Sequence, residues 1–282
     1  MTRIALSTGV ALEVQEFGSG PPVVLVPGGA MTHRVWDHQV AALQRRYRTL
    51  AVDLRGSGGS DKPPTGYSVD LFAADLAALI EALGLERPVV AGHGLGSHVA
   101  LRLAATRPGL VAGLALASAA PWFVGERRDA AGGFPDDLWE RMQGGAARNR
   151  AQADLDLIDE AFFHGELSEG MRLWSLGMAA EWPLAVFVQL AETLHDLDHR
   201  DALATIDVPV LLLHGRHDEK TRYDGAEYLL AHLPHARLVT LEGSAHCPHL
   251  EEPGAFTEAL HGFLDEVTAA ARAGLATAGA PR

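Results

Sequence analysis

Short apolar runs alternate with segments of helical periodicity along most of the chain. The runs VVLV, TLAV, LALA and VLLL have the length and composition of buried strands. Between them, apolar residues recur every three or four positions, as in residues 68–85, where Ser68 or Asp70 can cap the helix start. Residues 3–18 instead alternate apolar and polar side chains about a Thr-Gly turn, which predicts an antiparallel hairpin. Together these patterns predict an α/β fold with a mostly parallel sheet flanked by helices.

The segment from residue 121 to residue 205 breaks this rhythm. It contains helical patterns but no convincing buried strand. We therefore predict a core of residues 1–120 and 206–282, interrupted by a helical cap of residues 121–205. The predicted cap is rich in aromatic residues, which either fasten it to the core or line a pocket beneath it. The candidate pocket residues are Trp122, Trp139, Trp174 and Trp182, with His93 from the core.

The stretch VVAGHGLGSHVAL, residues 89–101, reads as a buried strand, a glycine-rich turn and a helix. Two further polar signals follow strands later in the chain. Asp218 comes directly after one strand, and His246 lies in the loop after the next. In an open parallel sheet the carboxyl ends of the strands meet at one edge, where ligands bind. The three signals can therefore meet in space.

These motifs resemble the α/β-hydrolase fold superfamily. The resemblance covers nearly the whole chain and rests on VPGGAMTHRVW, DLRGSGGSDKP, GHGLG, GRHDE and AHCPHLEEP in this order. It implies that Asp218 is the catalytic acid and that His246 is the base, with Asp218 fixing the tautomer of the imidazole. It also implies an oxyanion hole made by the backbone N–H groups of Leu95 and Gly29. The family usually has His-Gly where this chain has Pro27-Gly28.

The family pattern Gly-x-Ser-x-Gly places the nucleophile where this chain has Gly94. Glycine tolerates the strained backbone of such an elbow, but it has no atom that can attack a substrate. Ser97, Cys247 and His93 are weaker candidates for a replacement, because a nucleophile must lie within hydrogen-bond reach of the base. The ancestral nucleophile could be serine or aspartate. The absence of cap tyrosines and of Trp after position 94 favours serine over the Asp of epoxide hydrolases and dehalogenases.

Three functions remain open at this stage. The chain could be a hydrolase inactivated by loss of its nucleophile, whether natural or engineered. It could be a nucleophile-free enzyme, such as a hydrolase, lyase, cyclase or decarboxylase, in which His246 is a general base. It could also be a non-catalytic protein that binds a ligand. We predict an enzyme acting on a small, largely apolar carbonyl substrate: an ester, a lactone or an activated ketone.

Composition narrows the partners of the chain. The 282 residues carry a net charge of −13, which argues against nucleic acid and anionic membrane surfaces as partners. A single cysteine excludes an internal disulfide framework. No long apolar segment begins the sequence, so a soluble cytoplasmic protein is expected. We expect a small-molecule substrate, no cofactor and no metal site, and the sequence leaves homo-oligomerisation open.

Overall fold

The computed structural model describes residues 1–125 and 132–278. Eight strands form one sheet in the order β1-β2-β4-β3-β5-β6-β7-β8. The first two pairings, β1 with β2 and β2 with β4, are antiparallel, and all the others are parallel. The strands are β1 Thr2–Ala5, β2 Ala11–Phe17, β3 Pro22–Val26, β4 Arg48–Val52, β5 Val89–His93, β6 Gly113–Ala117, β7 Val210–Gly215 and β8 Ala236–Leu241.

Helices flank the sheet, and the predicted mostly parallel α/β architecture is confirmed. Helices α1, α10 and α11 contact one another, whereas α2 packs against α3 and α9 packs on β7 and β8. A short 3₁₀ helix, His33–Trp36, precedes α1. The core helices are α1 Asp37–Leu43, α2 Val69–Ala82, α3 Leu95–Thr106, α9 Tyr223–His232, α10 Pro248–Glu251 and α11 Pro253–Ala278.

The local sequence explains why these elements begin and pack as they do. The Ser68 hydroxyl accepts a hydrogen bond from the Leu71 N–H and so caps α2, as predicted from the sequence. The central strands β5, β6 and β7 are buried along their whole length, which accounts for their continuous apolar sequences. Large side chains such as Trp36, Phe72 and Phe256, from the helical elements, are also fully buried.

The chain between β6 and β7 is helical in the part that the structure describes. We call the helices α4 to α8 the covering helices, a name that refers to their position over the sheet edge. Residues 126–131 of this predicted cap, and residues 279–282 at the C-terminus, lie outside the described residues. The covering helices are α4 Asp136–Arg148, α5 Arg150–Leu157 with a π-helical turn Ile158–Phe162, α6 Glu169–Ala179, α7 Leu184–Leu194 and α8 Arg200–Leu203.

In the described ranges, no individual helix has the length and hydropathy needed to cross a bilayer. Helices α6 and α7 meet that criterion only when taken together, and they are bent by 83° relative to each other.

Candidate active site

The turn between β5 and α3 is a sharp elbow with Gly94 as its central residue. Gly94 has φ 48° and ψ −111°, a conformation that residues with a side chain rarely adopt. The two flanking glycines allow the strand and the helix to approach closely. A Cβ on Gly92 would lie 2.3 Å from the carbonyl oxygen of Gly96, and one on Gly96 would lie 2.4 Å from that of Val26. The close backbone contacts at Gly92 and Gly96 therefore determine the geometry of the elbow.

Asp218 and His246 meet at the same edge of the sheet. The Nδ1–H of His246 donates to Oδ2 of Asp218 at 3.0 Å, and both side chains are buried. The other carboxylate oxygen accepts the backbone N–H groups of Lys220 and Thr221, at 3.0 and 2.8 Å. These bonds orient the carboxylate, which in turn leaves Nε2 of His246 as the hydrogen-bond acceptor. An ideal Cβ on Gly94 would lie 3.2 Å from that Nε2.

The protonation of this pair suits a general base. Burial lowers the pKa of His246 to about 4, and the charge of Lys220 acts in the same direction against the opposing effect of Asp218. Burial alone would raise the pKa of Asp218, but the charge and hydrogen bond of His246 outweigh it, so that this pKa is lowered. Near neutral pH the imidazole is therefore uncharged while the carboxylate is ionised.

A cavity of about 680 Å³, counting the part that opens to solvent, lies between the elbow and the covering helices. Its walls are mainly apolar and aromatic, which is typical of sites for small organic ligands. His246, Lys220 and Thr221 bring polar groups to it from the sheet edge, and His98 does so from α3. The other lining residues are Gly29, Ala30, Gly94, Leu95, Trp122, Phe123, Phe134, Trp139, Met142, Leu157, Trp182, Phe187, Leu190, Ala191 and Leu194.

Residues 21–253 match the sequence model of the α/β-hydrolase fold. The chain belongs to this family. It is 34% identical over 254 residues to an AB hydrolase superfamily protein, YisY, of Bacillus subtilis, covering 86% of this chain and 91% of that protein. It is also 34% identical over 258 residues to a non-heme chloroperoxidase of Streptomyces lividans, covering 87% and 93% of the two chains. An esterase from Exiguobacterium antarcticum has the same fold, with a TM-score of 0.89, 30% identity and coverage of 94% and 99%.

The chain is thus a member of the α/β-hydrolase family, and the proteins similar to it include a chloroperoxidase and an esterase. The predicted superfamily is confirmed, as is the prediction of an enzyme family.

Two loops of the α/β hydrolase place backbone N–H groups beside the elbow. Gly29 follows β3, and Leu95 is the first residue of α3; both line the cavity. A Cβ on Gly29 would lie 3.8 Å from the Leu95 side chain, so the two segments are in contact. Within the described ranges, neither amide has a hydrogen-bond acceptor in the protein. The N–H groups of Gly29 and Leu95 therefore remain the candidate donors of an oxyanion hole.

Ser97 and Cys247, two of the weaker candidates for a replacement nucleophile, do not have side chains placed to attack a substrate in the cavity. The Ser97 hydroxyl donates to the carbonyl oxygens of Gly92 and Ala117, at 2.8 and 2.9 Å. Cys247 is buried, and burial raises the pKa of its thiol well above the ordinary value, which disfavours the reactive thiolate. Neither side chain lines the cavity.

Two of the predicted pocket residues lie elsewhere. His93 is buried beneath the site, where its Nε2–H donates to the carbonyl oxygen of His246 at 2.8 Å. Trp174 is half-buried on α6, with the Arg34 guanidinium 5.9 Å from its ring centre. Neither residue is among those that line the cavity. Trp122, Trp139 and Trp182 do line the cavity.

The sequence analysis missed Lys220, whose Nζ lies 3.2 Å from Nε2 of His246. A signal for it exists in the sequence, since Lys220 is one of only two lysines in the chain and follows Asp218 by two positions. The Nζ atom of Lys220 lies over the ring of Phe162, 4.3 Å from the ring centre. It also lies 5.6 Å from the centre of the Phe134 ring. In the part of the chain that the structure describes, no carboxylate lies within ion-pair distance of this Nζ.

The described residues contain no group of three or more His, Cys, Asp or Glu side chains arranged to hold a metal ion.

Proposed function

We propose that this α/β hydrolase acts on a small, largely apolar carbonyl compound, with His246 as general base and without a covalent bond at the elbow. The observation that carries the proposal is the position of His246. Its Nε2 faces Gly94, while Asp218 holds the opposite side of the ring. A base is present and oriented, but the elbow has no atom for it to activate.

In this mechanism His246 removes a proton from a water molecule or from an acidic C–H or O–H of the substrate. The resulting charge on the carbonyl oxygen is stabilised by the N–H groups of Gly29 and Leu95. General-base catalysis contributes on the order of 10²–10⁴-fold. An oxyanion hole with substrate binding can supply a further 10³–10⁴-fold or so over water. These magnitudes suffice for an activated ester, lactone or ketone.

The surroundings of the dyad support this proposal over an inactivated serine hydrolase. Lys220 contacts the Nε2 that a serine hydroxyl would otherwise meet, and the aromatic walls remain in place around it. A named esterase among the similar structures supports a carbonyl substrate. A non-catalytic binding protein would use the same cavity, and only turnover separates it from the enzyme.

The test compares the unchanged protein with His246→Ala across esters, lactones and activated ketones. We expect turnover to fall by roughly 10²–10⁴-fold in the variant, because the general base is lost. His195→Ala is a matched control, since His195 is exposed on the covering helices and should leave the rate unchanged. Turnover that persists undiminished in His246→Ala would remove the proposal, and binding without turnover would favour the non-catalytic alternative.

Gly94→Ser separates the proposal from the hypothesis of an inactivated hydrolase. If the chain descends from a serine hydrolase that still holds its machinery, this change should give a burst of product from an activated ester. Gly94→Ala adds the same Cβ without the oxygen, and so controls for backbone strain at the elbow. Absence of any gain in Gly94→Ser counts against the inactivated hydrolase.

A further inference from the structure

Lys220 provides the cavity with a primary amine in an unusual setting. The residue is only 9% exposed, yet it lines the cavity that holds Gly94 and His246. Its backbone is fixed by the hydrogen bond from its N–H to Asp218. Its side chain lies against Phe162 from the covering helices. The amine is therefore held at one place rather than extending into solvent, where most lysines lie.

Lys220, His246 and Asp218 form a continuous chain of contacts. The amine lies 3.2 Å from Nε2 of His246, and Nδ1 of the same ring lies 3.0 Å from Asp218. A nucleophile, a base within hydrogen-bond reach and a third group that orients the base are the general parts of a nucleophilic site. Here the group that contacts the base is an amine from the loop after β7 instead of a hydroxyl from the elbow.

We propose that Lys220 is a further catalytic residue, whose amine replaces the missing elbow nucleophile and forms an iminium with an aldehyde or ketone bound in the cavity. The inference rests on the proposed function in one respect, since His246 is the base in both. It goes further by assigning a covalent step and by narrowing the substrate from carbonyl compounds in general to aldehydes and ketones.

The step balances without any external oxidant or reductant. The lone pair of the Lys220 amine forms a bond to the carbonyl carbon, and the C=O π electrons move to the oxygen. The N–H groups of Gly29 and Leu95 can stabilise this oxygen as it becomes negative. His246 accepts a proton from the nitrogen and returns it to the oxygen. A second proton, taken up from solvent through His246, converts this hydroxyl into water, which leaves as the nitrogen lone pair forms the C=N⁺ bond of the iminium.

The space at the elbow fits this geometry. An ideal Cβ on Gly94 has only Nε2 and Cε1 of His246 within 4 Å, apart from its chain neighbours, at 3.2 and 3.6 Å. The Lys220 amine is therefore farther than that from the elbow, although it contacts the same ring nitrogen. A substrate carbonyl can lie between Lys220 and the oxyanion donors in the space that Gly94 leaves open.

The chemistry of the amine selects the class of substrate. An ester that acylated Lys220 would form an amide, which would block the enzyme because amides hydrolyse slowly. An aldehyde or ketone forms an iminium, which water reverses. The iminium also acidifies the neighbouring C–H bonds by acting as an electron sink, and His246 is the base within reach. The reaction class is therefore bond formation or cleavage next to the carbonyl.

Burial gives Lys220 a larger neutral fraction than an exposed lysine has. Burial lowers the pKa of Lys220 to about 8, against the opposing effects of Cys247 and Asp218. The groups that face the amine are His246 and Cys247 from the loop after β8, Asp218 from its own loop, and the Phe134 and Phe162 rings from the chain between β6 and β7. Because the ammonium of Lys220 lowers the pKa of His246, a neutral Lys220 also makes His246 a stronger base.

The experiment traps the iminium in the unchanged protein. The protein is incubated with an apolar aldehyde such as hexanal and with cyanoborohydride at about pH 7.5, and alkylation is located by peptide mass spectrometry. The chain has two lysines, and the exposed Lys62 is an internal control. We expect Lys220 to be alkylated roughly tenfold or more faster than Lys62, because an ordinary lysine holds its proton about two pH units higher. Labelling of Lys220 no faster than that of Lys62 overturns the proposal.

A second measurement separates a nucleophile from a simple positive charge. Lys220→Arg keeps the charge but cannot form an iminium, and we expect it to lower turnover of ketones and aldehydes by about 100-fold or more. Lys62→Arg is the matched control and should be unaffected. Full turnover in Lys220→Arg overturns the amine nucleophile.

The two proposals can fail independently. If Lys220 is not trapped but turnover still depends on His246, the general-base function stands and the amine step is wrong. If Lys220 is trapped selectively in a protein without His246-dependent turnover, the amine assignment is supported and the proposed function fails.

Discussion

The sheet edge and the covering helices contribute to the same cavity in different ways. At the edge, backbone geometry determines every position: Gly94 sits at positive φ, and backbone N–H groups hold one oxygen of Asp218. The covering helices contribute apolar side chains such as Phe187 and Leu190, which meet the cavity through packing. They also expose large apolar residues, including Leu173 and Val188, on their outer surface.

This difference assigns proton transfer to the sheet edge and substrate selectivity to the covering helices. Groups that transfer protons must be held to within a fraction of an ångström, and a fixed backbone can do this. An apolar wall needs only the right volume, so it can change while the proton-transfer groups stay in place. Changes at the edge should therefore affect stability and rate, whereas changes in the covering helices should affect which substrate fits, except at Phe162, which packs against the Lys220 amine.

Acidification should affect the sheet edge most strongly. Burial is the main cause that lowers the pKa values of four histidines there and in α3: to about 4 for His246, to about 3 for His249, and in the same direction for His93 and His98. The pKa of His199, which precedes α8 and contacts His98, is also lowered by burial to about 3. In the unfolded chain these histidines bind protons below about pH 6.5, whereas in the folded chain His199, His246 and His249 do so only near pH 3–4. Stability is therefore lost as the pH falls from about 6.5 towards 4.

The three histidines with pKa values near 3 and 4 imply a slope of about 4 kcal/mol per pH unit at pH 5. Urea unfolding at pH 7, 6 and 5 measures it. In His249→Gln one titrating group is absent, so the slope should decrease by about 1 kcal/mol per pH unit. An unfolding midpoint that does not move between pH 7 and pH 5 would show that these side chains are not buried as described.

A methyl group added to a glycine should distinguish the two regions directly. In Gly92→Ala the new Cβ would meet the Gly96 carbonyl, a backbone atom that cannot move aside without shifting the elbow. We expect a loss of about 3 kcal/mol or more and a fall in Tm of roughly 6–12 °C. Gly177→Ala lies on exposed α6 with nothing within 4 Å of the new Cβ, and should stabilise by about 0.5–1 kcal/mol. Equal Tm values for the two variants would contradict the comparison.

The same difference explains what the sequence could predict. Gly94, Asp218 and His246 each lie in the turn or loop after a strand, so local pattern together with parallel strand order is enough to bring them to one edge. Lys220 also lies in such a loop, but its reach to His246 depends on a long side chain whose direction the sequence does not show. The orientation of each covering helix depends on tertiary packing, so the sequence could not show that Trp182 lines the cavity and Trp174 does not.

Two neighbouring residues of α7 offer the mildest test. Phe187 lines the cavity, whereas Val188 is 50% exposed on the outer side of the same helix. Phe187→Ala should enlarge the cavity and lower kcat/KM for a compact substrate by about tenfold, mainly through KM, while a bulkier substrate is favoured. Val188→Ala should change neither constant.

The rate of proton transfer at His246 should be unaltered in both variants, because no atom of the sheet edge has been changed. A fall in kcat as large as that in His246→Ala would mean that the covering helices also position the reacting groups, and the separation of chemistry from selectivity would then be wrong.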